Sequence, residues 1–219
     1  MKWLTCQAQW SVVLDPSLEG NDSAMTLLTD SRRAETAAPI HELLAERWSP
    51  RSFDPEFVVS EEAVTALLEA ARWAPSAANL QPRRFIVARR GGEAFQAVCD
   101  ALSDGNRPWA PNASLFVVAI ALSQDEQGTP YRWAEYDAGQ AMAHLTVQAH
   151  ALGLHVHPMG GFDPEALALA FDLPEGAVAV SVNAIGAAAP ADLLPERYRS
   201  REAAPRTRLP LEELVIVDA

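Results

Sequence analysis

Two guanidinium groups, two hydroxyls and a proline break fall within one short run, Arg47-Trp48-Ser49-Pro50-Arg51-Ser52-Phe53. Side chains of these types bind anions. The planar fork of donors on each arginine matches a phosphate better than a lysine point charge does, and a serine hydroxyl adds a further donor. Ile40, Leu43, Leu44 and Arg47 recur at helical spacing, which sets Arg47 near the last turn of an amphipathic helix. Pro50 disfavours helical geometry at Ser49, so Ser49 and Arg51 lie on the chain that leaves that helix. The alternative is an exposed helix end whose cations favour the helix dipole.

A second stretch, Pro75-Ser76-Ala77-Ala78-Asn79-Leu80-Gln81-Pro82, is bracketed by prolines and filled with small and amide side chains. Such a loop exposes its backbone to a flat ligand, and Asn79 and Gln81 offer both donors and acceptors for the polar edge of a heterocycle. A proline-stiffened connector with ordinary loop amides is the plainer alternative. The histidines make a third candidate, since His155-x-His157 follows a segment carrying His144 and His150, and imidazoles ligate metals. Alternation puts His155 and His157 on one face of a strand, but six residues of helix rotate His144 from His150 by about 600°, onto different faces. Isolated histidines fit this spacing better than a metal site does, with His157 a candidate for the pocket lining.

Composition narrows the partners. The chain of 219 residues holds 29 acidic and 17 basic side chains, a formal charge of −12, which argues against nucleic acid or an anionic membrane surface as the main partner. Any anionic ligand needs a local basic cluster. Only Lys2 is a lysine, so cation sites are arginine sites. Cys6 and Cys99 lie far apart and suggest free thiols of a reducing compartment, and the first residues make a poor signal peptide, so a cytoplasmic protein is expected.

The elements that must position these residues come next. Residues 1–33 suggest an N-terminal arm, disordered or a start-site extension with Met25 as an alternative start; residues 34–208 suggest one domain, and 209–219 a tail strand. Helices are expected over 34–48, from Ser60 to Pro75, from Glu93 to Ser103, from Tyr131 to Leu152 and after Asp163-Pro164; strands are expected at 84–88, 115–122, 154–157 and 178–185. Residues 190–208 suggest an extended crossing segment. Leu214 to Val217 has strand character without a turn to bring it back, which suggests pairing with a partner subunit in an intertwined dimer, or an edge strand on its own sheet. Helices and strands mix without a βαβ rhythm, so the class is α+β, with a central, mostly antiparallel sheet flanked by helices.

The motifs, taken in order, resemble the nitroreductase family of FMN-dependent oxidoreductases. Arg47 to Phe53, a helix, then Ala74 to Pro82 is similar to the family's opening signature. Gly105-Asn106-Arg107-Pro108-Trp109, Asp137-Ala138-Gly139, Gly153-Leu154, Met159-Gly160-Gly161-Phe162-Asp163 and Arg206-Thr207-Arg208-Leu209-Pro210 follow in sequence. The likeness covers roughly residues 38 to 217.

The resemblance implies an FMN site at the interface of a homodimer. Arg47, Ser49, Arg51, Arg206 and Arg208 would hold the phosphate and ribityl chain, with Trp48 inside the same element. Pro75, Ser76, Ala77 and Asn79 would serve the site from the other subunit, with Gln81 at the same edge. Asn106 would lie on the pyrimidine side, and the main chain of Met159, Gly160 and Gly161 near flavin N5. The implied activity takes hydride from NADH or NADPH onto N5 and reduces a nitroaromatic, a quinone or a similar acceptor by a ping-pong mechanism, without a catalytic side chain or a metal. A specialised flavin-destroying or flavin-storing role is the alternative. The sequence departs from the family pattern at Trp48, where arginine or histidine is common, and at Ala77, where serine is frequent. It departs again at Arg83, where an aromatic is usual, and at Gly160, which is glutamate in some relatives.

Overall fold

A computed structural model describes residues 32–125 and 127–217. Its centre is a four-stranded antiparallel sheet in the order β1-β2-β4-β3, formed by β1 (Arg83–Arg89), β2 (Leu115–Leu122), β3 (His155–Met159) and β4 (Ala177–Gly186). The apolar run of β2 is buried along nearly its whole length because both faces of the sheet are covered. Its side chains alternate between two cores, as a period of two requires. Leu115, Val117 and Ala119 pack with Val64, Leu67, Leu145 and Ala149. Phe116, Val118 and Ile120 pack with Phe95, Val98, Leu102, Trp109 and Leu167.

The helices in chain order are α1 (Glu42–Glu46), α2 (Glu61–Arg72), α3 (Glu93–Ala101), α4 (Ala134–Ala151), α5 (Pro164–Ala170), α6 (Glu196–Ala203) and α7 (Leu211–Leu214). Ser60 caps α2 by accepting from Ala63 N at 3.2 Å, with Glu61 and Glu62 in the first turn. The longest helix, α4, ends at Gly153, whose φ of 72° suits glycine and lets Leu154 N return to Ala149 O at 2.8 Å. Segment 52–54 runs beside 187–189 through Ala189 N to Ser52 O and Asp54 N to Ala187 O, both 3.0 Å. This ladder fixes the run from Arg47 to Phe53 against the end of β4.

Four expectations are corrected. The first helix does not begin at residue 34: Pro39 restrains Ala38 from helical geometry, and α1 starts only after His41, whose ring accepts from Leu43 N at 3.2 Å. Segment 190–208 is not extended throughout, since α6 forms within it and turns Tyr198 and Glu202 inward. The tail contains the short helix α7 rather than a strand, and Ile216 and Val217 after it are 97% and 75% exposed. Arg32 and Arg33, assigned to the arm, lie on the domain: Arg33 pairs with Glu46 at 2.6 Å, and Arg32 donates to Ala204 O. The rest of the arm, 1–31, lies outside the described residues.

Candidate functional site

The run from Arg47 leaves α1 in extended geometry and is held from three sides. Ser52 Oγ donates to Pro190 O at 2.7 Å, and Phe53 is fully buried and stacked on Trp109 at 6.4 Å. Buried Glu202, from α6, accepts from Arg51 N at 2.9 Å and Ser52 N at 3.1 Å. Those contacts fix the main chain and leave the arginine side chains to other uses. Arg47 Nη1 donates to Ser49 Oγ at 3.4 Å.

The fold brings Arg206 and Arg208 to Arg47. Burial, then the nearby Arg208 charge, lowers the pKa of Arg47; burial, then Arg47, Arg208 and Arg32, lowers that of Arg206. Among the described residues Arg47, Arg51, Arg206 and Arg208 form no ion pair with a carboxylate, whereas Arg33, Arg72, Arg89 and Arg107 each do. Arg206 also has a structural task, donating from Nη1 to Arg32 O at 2.8 Å and Ala45 O at 2.6 Å. Among the described residues Arg208 donates only to the neighbouring Thr207 O. Like charges gathered in partial burial are unfavourable alone, and an oxyanion among them removes that penalty.

Arg47 also opens onto a depression of about 470 Å³ that includes Pro158 of β3, Gly139 and Met142 of α4, and Asn183 of β4. Asn183 is fully buried; its Nδ2 donates to Val117 O at 2.9 Å while its Oδ1 has no partner among the described residues, an acceptor left unused in the wall. Two residues beyond Pro158 the two glycines differ. A Cβ on Gly160 would meet nothing within 4 Å, so the protein's own packing does not require glycine there. One on Gly161 would stand 2.6 Å from Ser103 Oγ and 2.9 Å from Asn106 Nδ2. Asn106 Nδ2 donates to Gly161 O at 3.0 Å, so the expected pyrimidine-side residue and the expected main-chain element are joined.

The Pro75 loop is built elsewhere. Ala77 N donates to Asp137 Oδ2 at 3.0 Å and Ser76 Oγ accepts from Gln81 N at 3.0 Å. Ala78, Asn79 and Gln81 all have positive φ (49°, 55° and 51°), a conformation uncommon for side chains other than glycine. Pro75, Ser76 and Ala77 face a depression shared with Trp133, Tyr136 and Gln140 of the α4 region. No hydrogen bond among the described residues connects this loop to the arginine group or to Asn106.

Trp48 and Arg83 have interior roles. The Trp48 ring is buried under the Arg32 guanidinium, 4.1 Å from its centroid, and beside His155; its Nε1 has no partner. Arg83 donates from Nη2 to Arg72 O and Ala74 O, both at 2.7 Å, and so secures the turn from α2 into the Pro75 loop. Burial pushes both His155 and His157 down to about 4. His157 donates from Nδ1 to Pro50 O at 2.8 Å and packs on Trp109 at 4.5 Å, bracing the run from Arg47 to Phe53. No group of three or more His, Cys, Asp or Glu able to hold a metal occurs among the described residues.

Sequence reasoning missed Glu202 and Arg32, and singled out Asp137 without its bond to the Pro75 loop. Tyr198 and Glu202, four apart before the late arginines, were the available signal, but one inward carboxylate in an Arg-rich stretch resembles solvent-facing sequence.

Comparison with known proteins places this geometry. The model of the Nitroreductase family matches residues 44–108 and 91–187. A protein of Mycolicibacterium smegmatis known only as an uncharacterized 15.4 kDa protein is 38% identical over 139 residues, covering 60% of this chain and 92% of its own. A Thermus thermophilus protein named NADH dehydrogenase is 28% identical over 190 residues, 72% of this chain and 86% of its own. A crystal structure described as an oxidoreductase containing FMN superposes with a TM-score of 0.78 at 35% identity, covering 83% of this chain and 93% of the other. With the four-stranded antiparallel sheet and the Asn106–Gly161 junction in place, the chain belongs to the nitroreductase family.

Proposed function

We propose that the chain is an FMN-dependent NAD(P)H oxidoreductase whose arginine group holds the FMN phosphate. The observation that carries this is the set Arg47, Arg206 and Arg208, with Arg51 nearby, gathered without a carboxylate partner among the described residues in a chain of charge −12. The residues fit the group. Arg47, Arg208 and Ser49 have donors to spare for a phosphate, the unused Asn183 Oδ1 lines the adjoining depression, and the open side of Gly160 admits a flat ring. The FMN in a structure 35% identical to this chain supports the same conclusion.

Each residue then has a task. Arg47, Ser49 and Arg208 would bind the phosphate, and Arg206 would share its donors between phosphate and the main chain. Glu202 and His157 hold the backbone that carries Arg51, and Asn106 holds the Gly161 carbonyl of the segment that would take the ring. The chemistry a bound FMN supplies is hydride transfer from NADH or NADPH to a nitroaromatic, a quinone or a similar acceptor that takes the nicotinamide's place, which makes the kinetics ping-pong. No side chain is assigned a catalytic role; the protein contributes position and exclusion of water.

The proposed assembly is a homodimer in which the Pro75–Asn79 loop, with Gln81, serves the flavin of the partner subunit. The exposed apolar tail residues Leu209, Leu211, Leu214 and Ile216 support this. In the dimer the exposed tail of each chain would pack on the other subunit in mutual exchange, with the domain that begins at Arg32 holding the flavin. No helix among the described residues is long and apolar enough to cross a membrane, and the buried, unpaired Cys99 supports a cytoplasmic setting.

Titration with FMN and with riboflavin tests the phosphate assignment. Loss of two charge-assisted bonds at ~1.5–3 kcal/mol each predicts FMN binding at least about 100-fold tighter than riboflavin. Equal affinities contradict it.

A further inference from the structure

A second cluster of cations lies beside Asn106 and shares Arg51 with the run that begins at Arg47. A depression of about 480 Å³ is bordered by Arg51, Gly105, Asn106, Arg197, Tyr198 and Arg201, with Asp104 on its rim. Tyr198 docks α6 onto this floor by donating from Oη to Gly105 O at 3.2 Å, the carbonyl that also accepts from Trp109 Nε1 at 2.9 Å. Arg197 and Arg201, four apart on α6, lie on one helix face and share the rim.

The arginines of α6 divide by use. Arg199 donates to Leu194 O and Asp192 O, both at 2.8 Å, and closes the turn before its own helix. Arg197 and Arg201 donate to nothing among the described residues; Arg197 rests over the Tyr198 ring at 4.8 Å. The carboxylates nearby are already engaged, Asp104 with Arg107 at 3.3 Å and Glu202 with the Arg51 and Ser52 amides. Three guanidinium groups therefore face one polar depression with their donors unspent. Asn106, in its floor, is the residue that holds Gly161.

We propose that Arg51, Arg197 and Arg201 form an oxyanion subsite that binds a phosphate or carboxylate of the visiting substrate and so sets which donor or acceptor the flavin serves. The inference rests on the flavin assignment, because it is the ring beside Asn106 and Gly161 that makes a substrate pass this rim. The oxyanion belongs either to the nicotinamide donor, as the additional phosphate of NADPH, or to an acidic acceptor. The planar forks of three arginines suit either group.

Calorimetric titration of the FMN-loaded full chain with two ligand pairs, NADP+ against NAD+ and 4-nitrobenzoate against 4-nitrobenzyl alcohol, tests it. In the variant Arg197→Gln/Arg201→Gln, at least one anionic ligand should bind tenfold or more weakly while its less charged counterpart moves less than threefold. The pair that separates identifies the source of the oxyanion. FMN affinity should stay within threefold of the parent, and Arg197→Lys/Arg201→Lys should restore part of the lost affinity. If both members of each pair weaken equally, or neither weakens, the subsite is overturned while the flavin assignment stands. A parent chain that fails to bind FMN overturns both.

Discussion

Asn106 Nδ2 donates to the carbonyl of Gly161 at 3.0 Å, joining residues 55 apart in sequence and holding the turn after β3 against the start of the 105–109 loop. Gly161 and its neighbour Gly160 are glycines for different reasons, and substitution separates them.

Gly161→Ala would place its Cβ against Ser103 Oγ and Asn106 Nδ2. We expect a loss of ~1–3 kcal/mol in unfolding free energy by denaturant titration. Gly160→Ala meets no protein atom within 4 Å, so its stability should stay within about 0.5 kcal/mol of the parent. Its FMN affinity should nevertheless fall, because the new methyl occupies space assigned to the ring. A Gly160→Ala protein with unchanged FMN affinity removes Gly160 from the flavin site.

Arg206 and Arg208 differ in a comparable way. Arg208 donates only to its neighbour's carbonyl and repels Arg47 and Arg206. Arg208→Ala should weaken FMN binding by ~1.5–3 kcal/mol without lowering the stability of the FMN-free protein. Arg206→Ala should lower both, since its guanidinium bridges Arg32 O and Ala45 O. Parallel thermal melts and flavin titrations distinguish them.

Glu202→Ala removes a buried acceptor from the Arg51 and Ser52 amides. A loss of ~1.5–3 kcal/mol in stability is expected, together with weaker FMN binding as the anion-binding run loses its brace. Unchanged FMN affinity in a folded Glu202→Ala protein contradicts the bracing role.

Acid should unfold the protein ahead of carboxylate titration. Burial holds His155 and His157 neutral down to about pH 4, whereas the unfolded chain protonates them near 6.5. The unfolded state therefore binds more protons between these values, so their contribution is intact above about pH 6.5 and is lost as pH falls toward 4. The slope approaches about 1.4 kcal/mol per pH unit for each histidine. His157→Gln should lower that slope by one histidine's share in a series of melts across this window.

The tail can be tested by removal. Deleting 209–219 should impair dimer formation, and a truncated protein still dimeric by sedimentation contradicts tail exchange.

Much of this was readable in the sequence because it is local. The run at 115–122 is apolar enough to mark a buried strand without knowledge of its neighbours, and Ser60-Glu61-Glu62 and Gly153 mark helix ends by chemistry that acts within one turn. Arg47 and Ser49 suggested an anion site for the same reason. What was hidden depends on contacts between distant segments. Glu202 becomes a brace only where α6 meets the Arg51 amides, 151 positions away, and Trp48 becomes an interior residue only under Arg32. Pro39 was visible, but the helical spacing around it concealed its effect, and α1 came out shorter than expected.

Anaerobic addition of NADH and of NADPH to the purified, FMN-loaded protein tests the central claim most directly. One equivalent of at least one of them should bleach the yellow flavin absorbance, and subsequent addition of a quinone or nitroaromatic should restore it. A protein that binds no FMN, or one whose colour persists with both nucleotides, contradicts an FMN-dependent oxidoreductase; the second result would point instead to flavin storage.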